Sequence, residues 1–125
     1  MKEINMYLKS SWKVLRDDKL GAWITILEYK GSTRILKGYA TNTTDKKMLY
    51  TAAINGIRAL KEPCKVNVYS EGSISIDGKC KGLKQTLVDE IVNNGHMCEF
   101  ISQYHNMESS LNKMIDEYYI ELGIN

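Results

Sequence analysis

The side chains that most often carry chemistry are few in this chain and form no compact motif. The cysteines are Cys64, Cys80 and Cys98, and no two of them make a C-x-x-C pair, so the sequence offers no structural zinc site. Their odd number argues against a disulfide framework, and we expect reduced thiols. The histidines, His96 and His105, have no partner pattern around them. A site built on cysteine or histidine is therefore not expected.

Basic residues are concentrated in the first part of the chain. The net charge is only +2, but residues 1–81 hold most of the lysines and arginines, whereas residues 82–125 carry an excess of Asp and Glu. Such asymmetry can place a basic binding face opposite an acidic one, although halves of a sequence need not be halves of a structure. Trp12 lies in the basic part, where it could stack on a base or sugar or simply cover the core.

Length and composition indicate one globular domain over residues 1–125. The chain is 43% hydrophobic and 26% charged, which is ordinary for a protein with a single core. No apolar run approaches the roughly 20 residues that a membrane span needs. The first residues lack the layout of a secretory signal. We expect a cytoplasmic protein without a membrane partner.

Hydrophobic periodicity predicts eight elements in the order β-β-β-α-β-α-β-α. The strands are expected at residues 4–11, 20–29, 33–41, 64–71 and 97–103, and the helices at residues 45–61, 83–94 and 108–122. Short turns join the first three strands, which must then be antiparallel, whereas helices join the later ones. The prediction is an α/β fold with a five-stranded mixed sheet and helices on both faces.

Local signals refine some of the boundaries. A polar turn is expected at residues 16–19, and Thr43 or Thr44 is expected to cap the first helix. Pro63 prevents that helix from continuing. The glycine-punctuated residues 72–82 fit either a helix or a hairpin.

Five short runs, in chain order, carry a family resemblance. They are YKG at 29–31, KGYATNTT at 37–44, KMLYTAAI at 47–54, VNVYSE at 66–71 and NKMIDE at 112–117. Together with the element order, they resemble the type 1 ribonuclease H family over about residues 4–120. The resemblance implies the ribonuclease H-like fold.

The resemblance also implies where an active site would lie. In that family, two divalent metals held by four carboxylates hydrolyse a phosphodiester. The four positions correspond here to Lys9, Leu49, Glu71 and Asp116, of which only two are acidic. An ammonium repels a divalent cation and a leucine ligates nothing. We therefore expect no catalytic residues, no metal and no other cofactor.

One hypothesis is that the Lys9 ammonium takes the place of the metal. It would pair with Glu71 and Asp116, two carboxylates that would otherwise repel each other. The alternative is that Lys9 points to solvent, as most lysines do. Asp45 could compensate for Leu49 from one helical turn away, but it is better explained as a charge at a helix start. The resemblance places a mobile histidine at His105.

The leading functional prediction is a non-catalytic module that binds nucleic acid, either an RNA/DNA hybrid or another structured duplex. Lysines and arginines would contact phosphates, and small polar residues would contact backbone or sugar oxygens. The candidate contacts are Lys13, Arg16, Lys19, Asn42, Thr43, Lys46 and Lys47, with Ser10, Lys79 and Lys81 near them.

Two alternatives remain open at the level of sequence. One is a protein-interaction domain or homodimer that kept the fold without the chemistry, which would be supported by the tyrosines at positions 50, 69, 104, 118 and 119. The other is a weak ribonuclease H with a rebuilt site. In that case Glu71 and Asp116 would hold one Mg²⁺ or Mn²⁺.

Overall fold

A computed structural model describes residues 1–76, 78, 81–102 and 106–124 of the chain. One sheet holds five strands in the spatial order β3-β2-β1-β4-β5. The strands are β1 (Lys2–Leu15), β2 (Asp18–Tyr29), β3 (Ser32–Thr41), β4 (Cys64–Tyr69) and β5 (Met97–Ile101), and the helices are α1 (Asp45–Arg58), α2 (Leu83–Asn93) and α3 (Glu108–Glu121). The predicted element order and the mixed sheet are confirmed.

The hairpin of β1 and β2 is longer than the sequence predicts. The two strands stay paired as far as Leu15 opposite Asp18, so the expected turn at residues 16–19 shrinks to Arg16 and Asp17. Arg16 adopts a left-handed backbone (φ 54°), which lets two residues reverse the chain. Asp18 and Lys19, which follow the turn, pair as strand with Leu15 and Val14, and the hairpin carries Trp12 and Lys19 away from the core.

Parallel pairing fixes the centre of the sheet. Helix α1 connects β3 to β4 and lets β4 run parallel to β1, with Tyr7 opposite Tyr69 at the end of the paired segment. These two rings stack with their centroids 5.1 Å apart. The register therefore brings the residues that follow Tyr7 and Tyr69 to the same edge.

Helices cover both faces of the sheet. On one face, Met6 and Leu8 of β1 pack with Leu49 of α1 and Leu87 of α2 in the larger core. On the other face, Tyr7 packs with Leu111, Ile115 and Tyr119 of α3. The side chains of β1 thus alternate between two cores, as the pleat requires.

Helix α1 begins as expected and ends three residues early. Thr44 is the N-cap, and its hydroxyl accepts a hydrogen bond from the Lys47 amide, while Asp45 lies in the first turn. The helix ends at Arg58 rather than at residue 61, ahead of Pro63. The predicted strands at 64–71 and 97–103 are likewise shorter, ending at Tyr69 and Ile101.

The described part of the ambiguous segment at residues 72–82 forms neither the helix nor the hairpin that the sequence allowed. Its described residues, 72–76, 78, 81 and 82, belong to no helix and no strand.

No helix of the described chain is long and apolar enough to cross a membrane.

Candidate nucleic-acid interface

Two side chains of opposite charge meet where β1 and β4 end their pairing. Lys9 and Glu71 each lie two residues beyond the paired Tyr7 and Tyr69, and the Lys9 Nζ is 3.2 Å from the Glu71 Oε2. The Lys9 side chain is only 15% exposed, whereas that of Glu71 is 57% exposed. The predicted pairing of these two residues is therefore present in the structure.

Leu49 closes this edge with apolar atoms. It is 4% exposed and belongs to the larger core. The approach is so close that a Cβ built on Gly72 would lie 3.0 Å from the Leu49 Cδ2. A glycine directly after Glu71 thus allows the chain to pass over the leucine, which supplies no ligand atom.

Asp116 does not take part in the expected triad. It lies on the exposed side of α3, and the ion pairs of the described residues include Lys9 with Glu71 but none with Asp116. The predicted ion pair of Asp116 with Lys9 is thus absent among the described residues, and the buried face of α3 presents Ile115 and Tyr119. Asp45 is exposed at the start of α1.

The residues at these positions do not fit the two-metal centre that the resemblance implies. Of the four positions, two lack a carboxylate, and an ammonium contacts one of the two acids that remain. Within the described ranges, no group of three or more His, Cys, Asp and Glu side chains could hold a metal ion. We therefore derive no metal-dependent step for this site.

An exposed indole stands next to this edge, on the extended hairpin. Trp12 is 41% exposed, and its ring N–H donates a hydrogen bond to the Thr43 carbonyl at 3.0 Å. The Lys19 ammonium lies 5.8 Å from the ring centroid, and the Lys19 carbonyl accepts a hydrogen bond from the amide of Asn42. The indole is thus held in place at one edge while part of it faces solvent.

Thr43 plays a different part from the one predicted. The sequence suggested that its hydroxyl donates to nucleic acid, but the residue is 5% exposed. It acts through its carbonyl, which positions Trp12. Asn42, by contrast, is exposed, with a left-handed backbone (φ 52°) that an asparagine tolerates.

The other predicted contacts lie on two sides of the sheet. Lys13 faces α3, where its ammonium lies 4.2 Å from the centroid of the Tyr119 ring. Arg16 is exposed at the tip of the hairpin, and Lys46 and Lys47 are exposed in the first turn of α1. The sheet therefore separates Lys13 from the surface that Trp12, Lys46 and Lys47 share.

A cavity of about 530 Å³ lies between the starts of α1 and α2. Its described lining, which we call the lysine pocket, consists of Lys46, Lys47, Tyr50, Ser73, Ser75, Lys81, Leu83 and Lys84. Sequence reasoning named three of these lysines singly but missed the pocket. The pairs 46–47 and 81–84 are distant in sequence, and only the packing of α1 against α2 brings them together.

Some candidates prove to be buried or lie outside the described residues. His96 is 7% exposed, and its Nδ1 accepts a hydrogen bond from the Cys64 amide at 3.1 Å. Burial lowers the pKa of this imidazole. Cys64 and Cys98 are free thiols, and burial raises the pKa of Cys98 to about 11. The remaining candidates, Lys79, Cys80, Tyr104 and His105, lie outside the described residues.

The four described tyrosines that were named for the protein-interaction alternative do not form an exposed surface. Tyr50 is 6% and Tyr119 1% exposed, and both Tyr69 and Tyr118 are half-buried. These four side chains fill the two cores and their margins, Tyr104 lies outside the described residues, and the protein-interaction alternative stays a prediction.

Comparison with known sequences identifies ribonuclease H relatives. No family model matches the chain. The ribonuclease H of Acetivibrio thermocellus is 31% identical over 108 residues, which cover 86% of this chain and 69% of that protein. The chain belongs to the ribonuclease H family. The ribonuclease H of Caldicellulosiruptor saccharolyticus is 40% identical over 77 residues, covering 62% of this chain. That match covers only about half (52%) of the relative's own length.

Solved structures agree with this ribonuclease H assignment at the level of the fold. LC9-RNase H1, described as a type 1 enzyme with the type 2 active-site motif, superposes with a TM-score of 0.65 over 90% of this chain and 70% of its own, at 15% identity. LC11-RNase H1, crystallised with an RNA/DNA hybrid, superposes with a TM-score of 0.59 over 92% of this chain and 98% of its own, at 16% identity.

Proposed function

We propose that this ribonuclease H-family domain binds an RNA/DNA hybrid and does not cleave it. The observation that carries the proposal is the 3.2 Å contact between the Lys9 ammonium and the Glu71 carboxylate. It lies where the family resemblance places metal-binding carboxylates, and it gives Glu71 a protein cation as its partner.

The charges at this edge disfavour a divalent metal. A second cation entering next to Glu71 would meet the Lys9 ammonium at close range, and the low exposure of Lys9 reduces screening by water. The buried Leu49 side chain has no oxygen atom that could bind a metal ion. Without a clamp of two metals, the charge that develops on attacking and leaving oxygens has no counter-charge.

The surface around this edge favours a polyanion. Lys19, Lys46 and Lys47 are exposed close to Trp12 and to the start of α1. Such lysines gain affinity for a phosphate backbone by releasing counterions. The hybrid is the preferred duplex because LC11-RNase H1, which shares the fold, was crystallised with one.

Binding is tested with a fluorescently labelled hybrid at several salt concentrations. We expect affinity to fall steeply as the salt concentration rises. In the double variant Lys46→Ala, Lys47→Ala, the slope of log affinity against log salt concentration should become smaller by about two, roughly one for each lost phosphate contact. Lys113→Ala is the matched control, because Lys113 is 80% exposed on α3. Equal slopes for the two variants, or no binding at low salt, would refute the proposal.

Cleavage is measured on the same hybrid with Mg²⁺ and separately with Mn²⁺. The expected result is an intact substrate at protein concentrations that saturate binding. Metal-dependent cleavage that disappears in Glu71→Gln would show instead that the domain is a weak ribonuclease H.

A further inference from the structure

Strand β3 forms one edge of the sheet, and its outer side meets no other strand of the described chain. It is 10 residues long, whereas β5 at the opposite edge has 5. Its pairing with β2 runs without a bulge from Ser32 to Thr41, and it contains no proline. Short length, bulges and proline are features by which proteins keep edge strands from pairing with a second chain. Strand β3 has none of them.

The turn before β3 fixes which backbone groups point outward. Lys30 and Gly31 are both left-handed (φ 47° and 82°), which makes a two-residue hairpin turn. The residues that flank such a turn exchange hydrogen bonds, so Ser32 and every second residue after it point their amides and carbonyls at β2. The bond from the Asn42 amide to the Lys19 carbonyl continues this phase beyond the end of the strand. The residues whose backbone groups point away from β2 are therefore Thr33, Ile35, Lys37, Tyr39 and Thr41.

The lysine that would normally guard such an edge is held by α3. The Lys37 ammonium lies 2.7 Å from the Glu121 Oε2 and 4.8 Å from the centroid of the Tyr118 ring. An edge lysine that extends into solvent disfavours a second strand by its charge. In this protein Glu121 compensates that charge, so the lysine protects the edge less.

Two large apolar side chains are exposed beside Lys37, on the face of the sheet that carries α3. Ile35 is 48% and Tyr39 57% exposed. The backbone of α3 lies over β1 and β2, so it leaves these side chains uncovered. Ile35 also lines a cavity of about 200 Å³ with Met114 and Tyr118 of α3. The edge thus offers backbone hydrogen bonds next to an apolar groove, the combination through which an added strand is recognised.

The sequence of β3 is complementary to itself in one antiparallel register. When Lys37 lies opposite the Lys37 of a second copy, Ile35 lies opposite Tyr39. In the same register, Thr33 lies opposite Thr41. Pairs of an aromatic with a β-branched residue, and pairs of threonines, stabilise neighbouring strands. All the outward-pointing residues take part, so the two copies share about ten backbone hydrogen bonds, the number found in a typical specific interface.

The charges at the centre of this register are complementary as well. Two Lys37 ammonium groups meet there, and each comes with the Glu121 carboxylate of its own copy. The two cations and the two anions balance. A strand of unrelated sequence need not bring a carboxylate to this place, whereas a second copy always does.

We propose that two copies of this chain associate through their β3 edges, antiparallel about a two-fold axis at Lys37, to form one ten-stranded sheet. The Tyr39 ring of each copy then lies against the apolar groove of the other. The inference goes beyond the proposed function, because the association requires no nucleic acid.

Sedimentation equilibrium without nucleic acid tests the association. The weight-average mass of the unchanged protein is expected to rise from that of one 14.3 kDa chain towards twice that value as the concentration is raised from micromolar to millimolar. The double variant Ile35→Lys, Tyr39→Lys places ammonium groups along the interface and should keep the mass of one chain.

The matched control is the double variant Val92→Lys, Met97→Lys. These side chains are 68% and 62% exposed and lie on α2 and β5, away from β3, so this variant should associate like the unchanged protein. The mass of one chain for the unchanged protein at every concentration, or equal effects of the two double variants, would overturn the proposal.

Hydrogen exchange locates the interface in the unchanged protein. At a concentration where the dimer prevails, the amides of the outward-pointing residues should exchange about five-fold or more slowly than at a low concentration. The amides of Leu36, Gly38 and Ala40, which point at β2, are the internal control and should change less. If the mass doubles but the outward amides exchange alike at both concentrations, the second copy docks elsewhere and the proposal fails. Neither measurement includes a hybrid, so a failure of hybrid binding leaves both outcomes unaffected.

Discussion

The Lys9 ammonium lies 3.2 Å from the Glu71 carboxylate, each two residues past a pair of stacked tyrosines on parallel strands. The distance is that of a direct ion pair, which joins a residue of β1 to the second residue after the end of β4. The charge balance at this edge is therefore complete without an added ion. The proposal that the domain binds a hybrid without cleaving it depends on this ion pair.

Restoring the missing acids should create a metal site. In Lys9→Asp, Leu49→Glu, four carboxylates would occupy the family positions, and we expect Mn²⁺ to raise the melting temperature of this variant and to bind in calorimetry. Without metal, the variant should be less stable by several kcal/mol, because Leu49 is buried. Lys9→Asn, Leu49→Gln is the control with matched shapes and no added charge. No Mn²⁺ response beyond that of the control would contradict the prediction.

Trp12 should report nucleic-acid binding by fluorescence. It is 41% exposed, whereas the other tryptophan, Trp23, is 8% exposed, so hybrid addition is expected to quench Trp12 selectively. Trp12→Leu should abolish the quenching and weaken binding by about 1–3 kcal/mol, the usual worth of stacking a base on an aromatic ring. Val14→Ala, at an exposed position on the same face of the strand, is the control. Unchanged affinity of Trp12→Leu would show that the indole only covers the core.

His96 should make the fold sensitive to mild acid. Burial lowers its pKa in the folded state, so the unfolded chain takes up the proton first as pH falls. The stability that neutral His96 contributes is complete above about pH 6.5 and is lost as pH falls through the lower folded pKa. Urea unfolding between pH 7.5 and 5.5 measures this loss. It should become smaller in His96→Asn, and an equal loss in both proteins would rule out His96 as the cause.

Gly38 should tolerate no side chain, because the Trp23 ring packs directly against it. A Cβ at this position would lie 2.7 Å from the Trp23 indole. The buried indole cannot move aside freely, so Gly38→Ala is expected to lower the free energy of unfolding by about 1–3 kcal/mol. Thr33→Ala, at an exposed position of the same strand, is the comparison. A destabilisation by Gly38→Ala no greater than that of Thr33→Ala would mean that the ring shifts without cost.

The sequence predicts the fold well because periodicity and turn signals agree along most of the chain. The positions of Leu49 and Glu71 follow from the same pattern, since each lies in a helix or at a strand end that the period defines. The same signals do not predict the length of the β1–β2 hairpin. Arg16 reverses the chain through a left-handed backbone that is unusual for arginine, so the polar run at residues 16–19 resembles a wide turn.

Features made by packing were out of reach of the sequence. The lysine pocket exists because α2 packs on α1, and nothing in the local spacing of Lys47 and Lys81 reveals that the two face the same space. The absence of Asp116 from the ion pair also depends on tertiary structure. A helix pattern indicates which residues share a face, but not how far that face lies from a strand end.

The stacked rings of Tyr7 and Tyr69 have a consequence for how this domain can change. They hold two strands in step just before positions 9 and 71, so the side chains at these positions are neighbours whatever their chemistry. Two acids, an acid and an amine, or two apolar groups can be exchanged there while the backbone hydrogen bonds stay as they are. The backbone of this edge can thus stay the same while the side chains at positions 9 and 71 change. One edge of the sheet can then take on a new function without a new fold.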